Sequence, residues 1–261
     1  MKKALIMTSI AFVLLLAVVA AGLNVIFTIT YIEASFSTFS AQGEEEAKSL
    51  KAELDEFVGD SMTFLDLDDV EETISRYPSF RLESVKKKFP KTLEVVVKER
   101  RELFAYQTTD GKYAVIDAEG MCLRMSDENI SRTGGENILL TNFTLTAKVG
   151  ERVEGDYLEA LLNAFSGFES VMADARANMR EVTLTYNGGD SSLNYNSFKI
   201  RMQEGCVIDM YNPLSRADEK AKAAMQIYSE LGDIQKMFGA ITVVEDRESS
   251  ELNAEYDERE F

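Results

Sequence analysis

Residues Ile74–Arg101, ISRYPSFRLESVKKKFPKTLEVVVKERR, decide the fold of the first half of this chain. Pro78 cannot continue a helix, so the helical run before it is predicted to end near Tyr77. Phe80 to Phe89 reads as a strand, and Pro90-Lys91-Thr92 reads as a turn. Leu93 to Val97 is β-branched and alternating, which predicts a second strand with Leu93, Val95 and Val97 on one face. The unit is therefore helix end, strand, turn, strand. Its basic run, Lys86, Lys87 and Lys88, is a solvated strand face by default. The alternative is an edge that meets an acidic partner or lipid headgroups.

Upstream of this unit, Glu44 to Val58 carries Leu50, Leu54, Phe57 and Val58 at helical spacing and is predicted as an amphipathic helix. Thr28 to Phe39 alternates loosely and is predicted to end as a strand. Asp68 with Glu71, or Asp69 with Glu72, fits an N-cap and first-turn carboxylate for a helix over Val70–Tyr77. The carboxylates Asp66, Asp68, Asp69, Glu71 and Glu72 lack the spacing and glycine of a calcium loop. They are read as capping and solvation.

At the start of the chain, Met1-Lys2-Lys3 precedes a run without charge from Ala4 to Ile32. A bilayer core needs about 20 apolar residues in a helix, and Ala4 to Phe27 supplies them. The lysines before the span predict a cytoplasmic N-terminus and an extracytoplasmic remainder. A cleaved signal peptide is the competing reading, with Val18-Val19-Ala20 as a cleavage site. The apolar stretch runs on through Leu23-Asn24-Val25-Ile26-Phe27, longer than a signal core, which favours an uncleaved anchor. Tyr31 is placed near the outer membrane interface.

Composition narrows the function classes. The 28 basic and 45 acidic residues leave a net charge of −17, which argues against nucleic acid and against docking on anionic lipid. Histidine is absent, which removes the commonest general base and transition-metal ligand. The cysteines, Cys122 and Cys206, stand far apart in no metal-like spacing, and free thiols or one disulfide both remain open. No catalytic residue, metal ligand or cofactor site is predicted.

Beyond Arg101 the pattern is rich in strands. Leu103–Gln107 and Lys112–Asp117 flank a hairpin turn at Thr109-Asp110-Gly111. Met121–Met125 follows, then a polar loop, then a short buried strand at Ile138-Leu139-Leu140. Glu154 to Met179 is predicted as one helix, with Gly167 a possible break. Val182, Leu184 and Tyr186 alternate on a strand that turns at Asn187-Gly188-Gly189. Tyr195–Met202 and Cys206–Met210 are predicted to pair across Glu204-Gly205. Ser215 is predicted to cap a helix with Ala221, Met225, Tyr228 and Leu231 inward and Gly232 at its end. A short helix, Asp233–Phe238, leads to a last strand, Ala240–Glu245. Asp246 to Phe261 is acidic and poor in apolar residues, and is predicted to be disordered.

The helix ending at Pro78, the basic strand, the aromatic-Pro-x-Thr-Leu turn and the β run closed by Glu-Arg resemble the POTRA domain of the FtsQ/DivIB cell-division family. The residues that carry the resemblance are Pro78, Val85, Lys87, Phe89, Pro90, Thr92, Leu93, Val95, Val97, Glu99 and Arg100. Tyr113–Asp117 with Gly120 is similar to that family's next strand and turn. Ser79-Phe80, and the segment Gly239–Glu245, which itself lacks the family's frequent aspartate-arginine ending, depart from it.

The resemblance implies an α+β protein with five segments. These are a cytoplasmic tail (1–3), a transmembrane anchor (4–27), a POTRA-like domain (28–100), a β domain (101–245) built on a mainly antiparallel sheet, and an acidic tail (246–261). It also implies a non-enzymatic divisome scaffold at the septal membrane, helping to regulate septal peptidoglycan synthesis. Its partners would be the membrane-anchored coiled-coil proteins FtsB/DivIC and FtsL and, through them, the peptidoglycan synthase complex. In the family the final strand lies at the sheet edge and pairs with those partners, which points here to Ile241, Thr242, Val243 and Val244. Two other classes compete. A wall-active hydrolase would need a nucleophile–base set or a metal site, and neither pattern occurs. A POTRA-type chaperone for outer-membrane assembly would need several repeats before a barrel.

Overall fold

The computed structural model describes residues 10, 12–15, 22, 26–186, 196–246 and 249–258. Most of the predicted anchor, Ala4 to Phe27, and all of the turn Asn187-Gly188-Gly189 lie outside them. Within the apolar run Ile10, Phe12 to Leu15 and Ile26 are helical and exposed. Among the described residues no helix is long and apolar enough to cross a membrane. The chain divides into two compact units, Met1–Arg100 and Arg101–Phe261.

The first unit runs β1 (Tyr31–Ser37), α1 (Ala41–Leu54), a 3-10 turn (Asp55–Phe57), α2 (Leu67–Ser75), β2 (Phe80–Lys88) and β3 (Thr92–Glu99). Among the described residues β3 is the centre of a three-stranded sheet, parallel to β1 and antiparallel to β2. Alternation places Leu93, Val95 and Val97 at full burial, against Leu50 and Leu54 of α1 and Val70 and Ile74 of α2. The Phe89–Pro90 peptide in the hairpin turn is cis. The N-cap of α2 is Asp66, whose carboxylate accepts from the Asp68 N–H, and not Asp68 or Asp69 as the spacing predicts. An Asx-type bond two residues on reaches the first orphan donors as well as an N3 partner does.

Burial of a charge organises the start of α1. Glu99, 3% exposed at the end of β3, accepts from the N–H groups of Phe39 (2.7 Å) and Ser40 (3.1 Å) and from the Ser40 hydroxyl. Ser40 in turn accepts from the Gly43 N–H. The carboxylate thus sits at the positive end of the helix, where orphan donors and dipole both favour it. Gly43 is required there because a Cβ would overlap the Glu99 carboxylate.

The second unit holds β4 (Glu102–Gln107), β5 (Tyr113–Asp117), β6 (Cys122–Ser126), β7 (Ile138–Thr141), the short pair β8 (Leu145–Thr146) and β9 (Glu154–Gly155), and α3 (Leu158–Val171). These are followed by α4 (Ala175–Asn178), β10 (Met179–Thr185), β11 (Ser197–Met202), β12 (Val207–Tyr211), α5 (Ala217–Glu230), α6 (Asp233–Phe238), β13 (Gly239–Glu245) and β14 (Leu252–Glu258). Among the described residues its main sheet has nine strands in the order β14-β13-β12-β11-β10-β7-β4-β5-β6. The pairs β4–β7, β7–β10 and β12–β13 are parallel and the others antiparallel. One apolar face of this sheet packs on α3 and α5, through Phe104, Phe165, Phe198, Ile208, Met225 and Tyr228.

Several expectations change here. The helix predicted over Glu154–Met179 is β9, then α3, then the separate turn α4. Gly167 does not break α3. It is buried where α5 crosses, and a Cβ there would overlap the Asp218 carbonyl, so its small size permits close helix packing. Ser215 does not cap α5. The cap position is Arg216, at φ 50°, and the Ser215 hydroxyl bonds elsewhere. Among the described residues neither cysteine is in a disulfide, and both are buried. Most consequentially, the acidic tail is not uniformly disordered: Leu252–Glu258 pairs antiparallel along all of β13. Composition alone predicts disorder because seven residues with alternating carboxylates bury little. A partner strand satisfies their backbone groups and covers Leu252, Ala254 and Tyr256, which lie half-buried on one face.

Candidate interaction edge

The resemblance places β13 at the open edge of the sheet, whereas the structure makes it an interior strand. Residues 240–243 pair with β12 on one side, and residues 239–245 pair with β14 on the other. The side chains of Ile241 and Val243 are fully buried in the core, while Thr242 and Val244 are half-buried. The ladder groups of β13 are consumed within the chain, so the edge passes to β14. Among the described residues β14 has no partner on its outer side. At the opposite end of the sheet, β6 is partly covered: Cys122 N–H bonds the Glu151 carbonyl (3.0 Å) and Gly150 N–H bonds the Cys122 carbonyl (2.9 Å).

A polar knot fixes the turn between β13 and β14. Lys220 of α5 is fully buried, donates to the Asn212 carbonyl at 2.7 Å and lies 3.4 Å from Glu245 Oε2. Burial pushes the Lys220 ammonium below the usual lysine range, against the opposing pull of Glu245. Ser215 donates to the same Glu245 oxygen at 2.8 Å. That hydrogen bond, followed by the Lys220 and Arg216 charges, outweighs the effect of burial and holds Glu245 below the carboxylate range. Arg216 donates to the Ser250 carbonyl at 2.7 Å and pairs with Glu219. The turn closes itself through Asp246 N–H to the Glu251 carbonyl and Ser250 N–H to the Asp246 carbonyl. A cleft lined by Tyr211, Asn212, Ser215, Val244, Glu245, Asp246 and Ser250 opens beside this knot.

At the other end of the hairpin the Tyr256 hydroxyl donates to the Gln235 carbonyl (3.2 Å), and its ring lies over Gly239, where a Cβ would overlap it. The Tyr228 hydroxyl of α5 donates to Glu204 at 2.7 Å. Burial first, and that bond second, push its pKa up. Lys236 lies 5.1 Å from the Tyr228 ring centre. β14 is therefore pinned at both ends, and its outward residues, Asn253, Glu255, Asp257 and Glu258, are exposed. The edge offers unpaired backbone groups framed by carboxylates, a chemistry suited to recognising an extended segment.

The second predicted surface is distributed differently. Lys87 donates to the Leu65 carbonyl at 2.6 Å, and Lys88 lies within 3.0 Å of Glu33 and 2.9 Å of Glu94. Lys86 is exposed. Among the described residues no group of His, Cys, Asp and Glu is placed to hold a metal ion. The segment Leu252–Glu258 and the buried Lys220 were missed from the sequence. Lys220 had a signal: it stands three residues after Ala217, four before Ala224 and eight before Tyr228, on the inward stripe of α5.

The fold and site define a two-unit α+β chain whose larger unit ends in an open, acidic strand edge. No protein-family profile matches it. It is similar to the protein named cell division protein DivIB from Clostridium acetobutylicum, at 26% identity over 166 residues, 61% of this chain and 61% of that relative. The likeness is distant and agrees with the FtsQ/DivIB resemblance of the hairpin.

Proposed function

We propose that this chain is a non-enzymatic scaffold of bacterial cell division. It would be anchored by Ala4 to Phe27 with its two units outside the cytoplasm, and its first unit would be a POTRA domain. It would bind membrane-anchored coiled-coil division proteins of the FtsB/DivIC and FtsL type and through them act on septal peptidoglycan synthesis. The similarity to DivIB supports this reading, and the open edge of β14 is the observation that carries it. Recognition then proceeds by strand addition: a partner segment extends the sheet and supplies lysine or arginine opposite Glu255 and Asp257, where cross-strand charge pairs form. Ile241 to Val244 take part by holding β14 in register, or directly if β14 yields its place.

One titration separates these cases. The full chain in nanodiscs is titrated with the partner pair, beside a chain ending at Asp246 and a Val243→Asp variant. Binding lost on truncation places the partner on β14. Binding strengthened by truncation makes β14 a stand-in for the partner on β13, and Val243→Asp then abolishes it. No binding by the full chain or the truncated one, together with normal septation in cells lacking the protein, overturns the scaffold reading.

A further inference from the structure

The first unit carries an exposed aromatic patch that strand addition does not use. Phe64 is 80% exposed, Tyr31 61%, Phe89 59% and Val58 46%. Their segments are tied to the stretch Phe27–Tyr31, where the uncharged run of the N-terminus enters the unit; next to Val58, the Gly59 N–H bonds the Ile29 carbonyl at 2.9 Å. Phe27 stacks edge-on against Phe89 with ring centres 5.7 Å apart. The Phe27 carbonyl accepts from the Met62 N–H at 2.6 Å, which ties it to the turn that presents Phe64. Lys87 joins that turn to the hairpin strand by its bond to the Leu65 carbonyl. The Tyr31 N–H bonds the carbonyl of Lys91, at the hairpin tip. Two loops and a strand start thus converge on the residue at which the apolar run ends.

We propose that this patch seats the first unit on a lipid surface, with Phe64 and Phe89 entering the interface. The proposal rests on the anchor reading of Ala4 to Phe27. An aqueous protein gains nothing by exposing large aromatics together at the mouth of an apolar segment. At a bilayer interface aromatic side chains are favoured, and neighbouring lysines such as Lys86 and Lys91 can reach outward to headgroups. The occupant is lipid because the patch is continuous with a segment that lipid would surround. Charge contributes little: Lys88 is neutralised by Glu33 and Glu94, and Asp60 and Asp66 flank the Phe64 turn. Seating is therefore expected to survive high salt and not to depend on anionic lipid, which reconciles it with a net charge of −17.

The chain contains no tryptophan, so single reporters can be placed without background. Phe64→Trp, Phe89→Trp and, as a control in the connection between β1 and α1, Phe39→Trp are each introduced into the full chain. The variants are reconstituted in vesicles of phosphatidylcholine and its acyl-brominated analogue. The expected result is flotation of all three with the vesicles, with blue-shifted emission and loss of intensity to brominated lipid at positions 64 and 89 but not 39. Flotation with water-like, unquenched emission at 64 and 89 overturns the seat and leaves the anchor standing. Blue-shifted emission that bromine does not quench assigns the patch to a protein and also overturns it. Failure to float overturns the anchor and the seat together.

Discussion

Gly239→Ala tests the strand that the sequence did not foresee. Gly239 opens β13 with φ at −94°, so alanine brings no backbone strain. The added Cβ would overlap the Tyr256 ring, and Tyr256 stands on the outermost strand, where the ring can swing into solvent. The cost therefore falls on β14 and not on the core. The ring gives up half-buried packing, about 1 kcal/mol for roughly half of a full aromatic burial. It also gives up its hydrogen bond to the Gln235 carbonyl, about 1 kcal/mol. A loss of about 2 kcal/mol is roughly a thirty-fold rise in local opening, since about 1.4 kcal/mol is tenfold. Native-state hydrogen exchange reads this directly. The amides shared by β13 and β14 should exchange about thirty-fold faster, while those between β10, β11 and β12 keep their protection. Two results would refute the reasoning. Residues 252–258 unprotected in the parent chain would mean that β14 is not paired. An equal acceleration throughout the second unit would mean that the Tyr256 ring cannot move.

Three further outcomes are expected. Glu99→Gln removes the charge that three donors converge on and turns amide hydrogens toward two of them. It should destabilise the first unit by about 2–4 kcal/mol in urea unfolding followed through exchange in α1, and a change below about 1 kcal/mol would contradict the capping account. Glu102 is 4% exposed. Burial alone would raise its pKa, but bonds from Arg124 and the Arg132 N–H, with both arginine charges, hold it below the usual carboxylate range. Its stabilising contribution is therefore present above the unfolded carboxylate value, about 4.3, and is lost as pH falls through the lower folded value. Glu102→Gln should cost about 3 kcal/mol at neutral pH and flatten that acid limb, and an unchanged limb would assign it to other carboxylates. Burial raises the Cys122 thiol to about 11, and Cys206 is fully buried, so neither should react with a thiol reagent until the second unit unfolds. Mass spectrometry of the folded chain checks this, and rapid labelling of either cysteine would contradict its burial.

The hairpin from Phe80 to Glu99 was legible because its signals are local. Leu93, Val95 and Val97 announce their face by alternation, and Pro78 and Pro90 punctuate the strands on either side. The same holds for the inward stripe of α5 and for the pairing of β11 with β12 across Gly205, at φ 122°. Such features depend on residues a few positions apart, whose geometry the backbone fixes. The places where sequence reasoning failed depend on contacts far away in the chain. Gly167 looked like a helix breaker because only the approach of Asp218 makes its small size an asset. Glu99 and Lys220 are buried charges because donors and acceptors distant in the chain surround them. Leu252–Glu258 looked disordered because composition measures what a segment can bury alone. β13 offers it a row of backbone groups, and α5 and α6 offer Tyr256 a surface to cover. The sequence by itself determined the Phe80–Glu99 hairpin, the inward stripe of α5 and most of the strands. Only the tertiary structure decided which strand stands at the edge, because an edge is defined by the absence of a neighbour and no local pattern records it.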